Sequence, residues 1–420
     1  MTGLAVAPTR DRLLRAGQVH VPLLDTVWNA FAEPSDDEWT DYLAQRRAQG
    51  FTGLLISLLP TLHDRSENRG SFLPFAVRAD GRLDASALDP GYLRRARARA
   101  EEAVEAGFTL FLVVLWYNYI PGSPSSTMPP AVTLPSEVRD SLPAVVAEHF
   151  AHLDPVLVIS GDEPFVDEAE IAIYRELLHA CRDAMPGLLT TFHMWPDGVL
   201  PRDLLHDPVL DLSTLQSGHT ADDGAKAIEL ATRAVREPQR PILNLEPCYE
   251  GHGHVRGHGR FSAAEVRRVL WTSFTAGASA GLGYGAHGVW QWHRAGSRFT
   301  NGGFSGLPAP WPTALAFPGA DDASFARTLW ESEGFAGARP AQQLLDRDDD
   351  GARLARGDGG LALYLPSSRP VRLAASPASV RAWDLAARRP LVPRVHPDAD
   401  GVLIDPPAAS VDTVIFLEDS

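Results

Sequence analysis

Eight short apolar runs, each followed by a helical pattern, constrain this chain more than any other feature. The first four are HVPLLDTVW (20–28), FTGLLISLL (51–59), FTLFLVVLW (108–116) and PVLVISGDE (155–163). The others are LLTTFHMW (188–195), LDLSTLQSG (210–218), PILNLEPCY (241–249) and GLGYGAHGVWQW (281–292). They are apolar on both faces, as parallel strands covered by helices are. Helix punctuation separates them. Ser35 with Glu38 and Ser262 with Glu265 read as capping boxes, Asp167 as an N-cap, and Gly50 and Gly277 as helix ends. Eight such alternations over about 335 residues predict a (β/α)8 barrel, which needs roughly 250 residues plus insertions. The competing arrangement is a doubly wound open sheet. That fold advertises a Gly-rich phosphate loop after its first strand, and LLDTVWNAF has no glycine.

The texture changes near residue 335. RDDDGARLARGDGGLALYLP offers a polar bend and then a strand, and VRLAASP, VRAWDL, GVLIDPP and VDTVIFLED follow between Pro, Asp and Gly turns. The expected division is a barrel over 1–335 and a small antiparallel β-sandwich over 336–420. A net charge of −15, a single lysine (Lys226) and the lack of any basic block argue against a nucleic-acid partner. No apolar run is long enough to span a bilayer. The start, MTGLAVAPTRDRLLRAGQ, has no apolar segment followed by a cleavage site. Two cysteines, Cys181 and Cys248, build no disulfide framework and suit a reducing interior. A cytoplasmic protein with no membrane partner is expected. The oligomeric state is not legible.

In a barrel of this kind the active site forms at the C-terminal ends of the strands, and the chemistry-bearing residues of this chain gather at the ends of the runs. Asp25 and Trp28 end the first, and Trp116, Tyr117 and Asn118 the third. Asp162 and Glu163 end the fourth, His193 and Trp195 the fifth, and Gln216 and His219 the sixth. Glu246, Tyr249 and Glu250 end the seventh, while Tyr284, His287, Trp290 and Gln291 belong to the eighth. Carboxylates on the fourth and seventh strands, with aromatic platforms and hydrogen-bonding groups, are what glycoside hydrolysis requires. One acid protonates the leaving oxygen, and the other attacks the anomeric carbon or activates water. Successive strand residues point to opposite sides, so one of Asp162 and Glu163 faces the pocket. Trp28 and Trp290 suit the C–H faces of sugars, and Asp25, His193, Gln216, His219, Tyr249, Tyr284 and His287 suit hydroxyls.

The segments LLDTVWNAF, ISGDEP, LLTTFHMWPDG, LQSGH, LNLEPCYEGHG and FSAAEVRRVLWTSFTAGASAGLGYGAHGVWQW resemble those of the apiosidase-like glycosidases, glycoside hydrolase family 140. The likeness covers most of residues 20–295, and a C-terminal sandwich is that family's usual appendage. It implies a retaining, exo-acting furanosidase on small glycosides such as terminal β-apiosides, needing no cofactor or metal. It also implies Asp162 as acid/base and Glu246 as nucleophile. Where the family commonly has arginine after the aspartate, this chain has Glu163. The broader clan writes Asn-Glu-Pro at this strand end, so Glu163 stays the alternative acid/base.

Other readings remain open from sequence. An arabinofuranosidase or galactofuranosidase would use the same mechanism. A non-catalytic carbohydrate-binding barrel would keep the aromatic rim without needing both carboxylates near one bond. A metal-dependent hydrolase usually shows His-x-His at the end of its first strand; here that motif occurs only as His252 and His254 in the loop GHGHVRGHGR.

Overall fold

The computed structural model describes residues 3–196, 198–346, 351–398, 401–406, 409 and 411–419. Each apolar run forms a parallel strand: β1 Leu23–Thr26, β2 Gly53–Ser57, β3 Thr109–Trp116, β4 Val156–Gly161, β5 Thr190–Thr191, β6 Ser213–Gln216, β7 Ile242–Glu246 and β8 Gly281–Tyr284. The helices that follow them are α1 Asp36–Ala48, α2 Pro90–Glu105, α3 Leu142–Phe150, α4 Glu168–Ala184, α5 Arg202–Leu205, α6 Ala225–Ala234, α7 Ala263–Thr275 and α8 Gly319–Ser332. Both capping boxes form, at Ser35 and at Ser262, and Asp167 caps α4 through the N–H groups of Ala169 and Glu170. Nearly every strand residue is buried, because the helices cover one face and the barrel interior the other.

The strand order is β5-β4-β3-β2-β1-β8-β7-β6, an eight-stranded parallel sheet curled until its edges meet. The β5/β6 seam has no regular ladder, and threonines close it. Thr191 Oγ1 lies 3.2 Å from Thr214 Oγ1, Leu212 N–H donates to Thr190 O at 3.2 Å, and Thr214 Oγ1 donates to Phe192 O. The eighth strand is shorter than the sequence suggests. It ends at Tyr284, so Trp290 and Trp292 lie on the following turns.

Beyond Arg339 a six-stranded antiparallel sheet packs on the barrel, with a three-stranded sheet beyond it. The two faces of its central strands serve different cores, as the two-residue period of a strand requires. Leu361, Leu363, Leu365, Ile415 and Leu417 face the three-stranded sheet, whereas Ala362, Tyr364, Val414 and Phe416 face the barrel. Tyr364 stacks on Trp271 of α7 at 6.2 Å. Arg267 of α7 is buried between Asp412 at 2.9 Å and Asp322 at 2.7 Å. The polar bend expected at residues 347–350 lies outside the described residues. No helix among the described residues is long and apolar enough to cross a membrane.

Candidate active site

A cavity of about 460 Å³ opens at the C-terminal ends of the barrel strands, within the size range of small-molecule sites. Trp28, Trp116, Tyr117, Asp162, Gln216, His219, Glu246, Tyr249 and Trp290 line it.

The local backbone decides which carboxyl of Asp162-Glu163 enters. β4 ends at Gly161, where a Cβ would sit 2.5 Å from the Trp116 ring, so only glycine lets the strand pass beneath that indole. Asp162 then adopts φ +50°, a left-handed conformation that aspartate tolerates better than most residues. This kink turns the Asp162 side chain into the cavity. Glu163 resumes the strand direction, bridging Met194, with its N–H directed at His193 O. Its buried carboxylate accepts the Phe165 N–H at 2.9 Å and is not among the cavity-lining groups. Burial pushes Glu163 up to about 8; the Phe165 N–H opposes this and the neighbouring Glu170 adds to it.

Glu246 ends β7 on the opposite wall, 4% exposed. His219 Nε2 contacts its Oε1 at 3.0 Å, while the Tyr249 N–H donates to His219 Nδ1 at 3.3 Å. Those two contacts assign the His219 proton to Nε2. His193 Nε2 lies 3.1 Å from Oε2, off the hydrogen-bond line, and its Nδ1 is 3.7 Å from Asp162 Oδ1. One oxygen of Asp162, one of Glu246 and one nitrogen of His193 thus fall within 4.8 Å of one another.

The two carboxyls are driven in opposite directions. Burial, then the charge of Glu246, pushes Asp162 up to about 7, against the pull of His193 and Gln216. Burial also pushes Glu246 upward, but His193 and His219 outweigh it and hold it at about 2. Burial pulls His193 down, yet its contact with Glu246 and the two carboxylate charges leave it above its ordinary value. The Asp162 N–H aimed at His193 Nδ1 favours the neutral ring; at 3.4 Å it is a weak bond set against two carboxylates.

Among the sugar contacts expected from sequence, Trp28, Gln216, His219, Tyr249 and Trp290 line the cavity with the two carboxyls. His193 lies beneath the floor, edge-on to Trp28 at 5.4 Å. Three others lie elsewhere. Asp25 is fully buried, with one oxygen 2.7 Å from both Arg46 Nε and the Tyr42 hydroxyl; it is an ion pair behind the barrel wall and not a sugar contact. The Tyr284 hydroxyl donates to Glu250 at 2.7 Å and does not reach Glu246. His287 is tied to Gly306 O at 3.0 Å, and burial holds its pKa at about 3. Trp292 packs on Tyr42 and Trp311, its indole N–H directed to Glu38.

The cavity also recruits residues that the strand ends did not announce. Thr61, His63 and Asp64 follow β2, and Asn301 follows β8. Burial pushes Asp64 up to about 7; its Oδ2 accepts from Asn301 at 3.1 Å and its buried Oδ1 has no partner. Beyond Ser57 the sequence runs Leu58-Leu59-Pro60, and the polar contribution comes after it on a loop with no periodic signal. Asp162, His193 and Glu246 are also the donors a divalent cation would use here, and the same side-chain types suit acid/base chemistry.

The apiosidase-like catalytic-domain family matches residues 11–336. The chain belongs to that family. It is a glycoside hydrolase, and its substrate is a carbohydrate. No curated protein matches it. Among solved structures, one described as a glycoside hydrolase aligns over 100% of this chain and 97% of its own at 18% identity, with a TM-score of 0.80. A family 5 glycoside hydrolase from Bacteroides vulgatus aligns over 99% and 93% at 19% identity, with a TM-score of 0.78. A putative glycoside hydrolase from the same species gives 0.70 at 14% identity, over 99% of this chain and 82% of its own. These likenesses extend the fold, sandwich included, to the whole chain.

Proposed function

We propose that this hydrolase is a retaining, exo-acting furanosidase of the β-apiosidase type, acting on small glycosides. Glu246 is the nucleophile and Asp162 the acid/base. The observation that carries the reading is the pair itself: two carboxyls with oxygens no more than 4.8 Å apart, Glu246 drawn towards its ionised form and Asp162 pushed towards its protonated one. Carboxyl groups in retaining enzymes stand about 5–5.5 Å apart, while inverting pairs leave about 6.5–9.5 Å for a water. A second carboxyl state of this kind has no use in a passive sugar-binding barrel.

In the first step a Glu246 oxygen bonds to the anomeric carbon as the glycosidic C–O bond breaks, and the Asp162 proton passes to the leaving oxygen. Oε2, which accepts no hydrogen bond, is free to attack; Oε1 is held by His219. In the second step Asp162, now a carboxylate, takes a proton from water. The water oxygen bonds to the anomeric carbon, and Glu246 leaves with the electron pair of its ester bond. Trp28 and Trp290 offer stacking faces, and Gln216, Asp64 and Asn301 offer hydroxyl partners. No cofactor enters either step. The sheets beyond Arg339 are assigned a bracing role, through Arg267 and its two aspartates. The cytoplasm is the proposed compartment, supported by two buried unpaired cysteines.

The test is the stereochemistry of an aryl β-apiofuranoside hydrolysis followed by proton NMR, with arabino- and galactofuranosides alongside. First-formed product of retained configuration is expected, together with a loss of at least ~10³-fold in Glu246→Ala. Inverted product, or Glu246→Ala turnover within a few-fold of wild type, refutes the assignment.

A further inference from the structure

Twelve large apolar side chains are exposed among the described residues, and four of them line this one cavity. They are Met128, Trp195, Val255 and Phe304, at 38, 42, 37 and 50% exposure. They come from four separate connections, after β3, β5, β7 and β8, Phe304 from the short helix Gly302–Ser305. Single exposed apolar residues are ordinary on a protein surface, but convergence of four on one opening marks a binding surface. The rings are held by neighbours: Trp195 meets Tyr117 at 6.4 Å, and Phe304 stands edge-on to His252 at 6.0 Å.

We propose that this collar is the leaving-group subsite and that it takes a flat aromatic aglycone, making the substrates aryl glycosides and not oligosaccharides. The inference rests on the glycosidase reading above. Glu246 is buried at the cavity floor with the half-buried Asp162 beside it, so an exo-acting enzyme seats the glycone there and the group beyond the scissile oxygen points to the mouth. A second sugar in that place presents hydroxyls all round its ring. Met128, Val255 and Phe304 offer those hydroxyls nothing, whereas an aromatic ring stacks on Trp195 and Phe304 and beds on the adaptable thioether of Met128. Arg256 is the only Lys or Arg among the described residues lining the cavity. Its exposed guanidinium lies beside Val255 on the same loop, suited to an aromatic face or a phenolic oxygen.

The experiment has two arms on the full-length protein. Calorimetric titration with 2-naphthol asks whether the collar binds an aromatic alcohol without any reaction. Kinetics on phenyl and methyl β-apiofuranosides ask whether the preference for aryl, as a ratio of kcat/KM values, depends on the collar. Trp195→Ala and Phe304→Ala are each expected to weaken naphthol binding and to reduce that ratio about tenfold, the loss of one good aromatic contact. Val392→Ala, which trims another exposed apolar side chain at a site 86% exposed and outside the cavity, is expected to alter neither. Absence of naphthol binding overturns the proposal. So does an aryl preference unchanged in both collar variants, while turnover of the glycosides leaves the glycosidase reading standing. Naphthol binding that the variants abolish, with no glycoside turned over, supports the aromatic subsite and counts against the furanosidase reading instead.

Discussion

Replacing Glu246 by glutamine reports directly on how this site divides labour between two carboxyls. Asp162 stands at about 7 against an ordinary 3.8, raised first by burial and then by the charge of Glu246. With the oxygens no more than 4.8 Å apart, two unit charges at an effective dielectric of ~20 interact by about 3.5 kcal/mol, or roughly 2.5 pH units. His193, which lies against both groups, and water in the cavity weaken this coupling. About half of it is expected, so Asp162 in Glu246→Gln should titrate roughly 1–1.5 pH units lower, near pH 5.5–6. It should remain above the ordinary value because burial is untouched. Carbon NMR of labelled aspartate carboxyls reads this without any substrate, and Asp162→Asn identifies the signal. An Asp162 titrating near 4 in the wild type refutes the burial argument. An unchanged titration in Glu246→Gln refutes the pairing. The sign for activity follows from the proposed mechanism: its first step needs Asp162 protonated and Glu246 ionised, so kcat/KM is expected to fall as pH rises through about 7, while the Glu246 limb near 2 lies below the working range.

Asp25→Ala strips the partner from a fully buried Arg46; chemical denaturation should record a loss of about 3–5 kcal/mol, and KM should stay within twofold where the variant folds. Glu163 and Asp64 have pKa values raised on folding, to about 8 and about 7, so the folded state holds protons the unfolded state has released. Their stabilising contribution is present below about pH 4 and is lost as pH rises towards 8, and calorimetry should show a lower Tm at pH 8 than at pH 5. Glu163→Gln should raise Tm at pH 8 and leave turnover within a few-fold, since that carboxyl does not line the cavity; a loss of ~10²-fold or more would return it to the acid/base role. Dialysis against EDTA should leave activity unchanged, and a loss restored by a divalent cation would mean that the Asp162–His193–Glu246 donors hold a metal.

The barrel was legible because its signals are local and repeated: apolar runs of strand length, capping boxes and helix-ending glycines each report on a few neighbouring residues. The strand ends also told where the acids, histidines and aromatics would collect, since parallel strands in this fold deliver their C-terminal ends to one face. Asp25 shows where that reasoning stops. An acid at a strand end looks the same whether it faces the cavity or the surrounding helices, and only the approach of Arg46 and Tyr42 from α1 decides it. Tyr284 and His287 were misread for the same reason, their partners Glu250 and Gly306 being distant in sequence.

Sequence alone thus determined the architecture and the pair of strands that carry the carboxyls, because both depend on periodicity and order along the chain. The tertiary structure alone decided that Asp162 and not Glu163 enters the cavity, through a left-handed turn permitted by Gly161 beneath Trp116. It likewise decided that two histidines from other strands converge on Glu246, and that Asp64, Asn301 and the apolar collar reach the site from loops. Side-chain direction and protonation state depend on what approaches from elsewhere in the fold, and no local pattern encodes that.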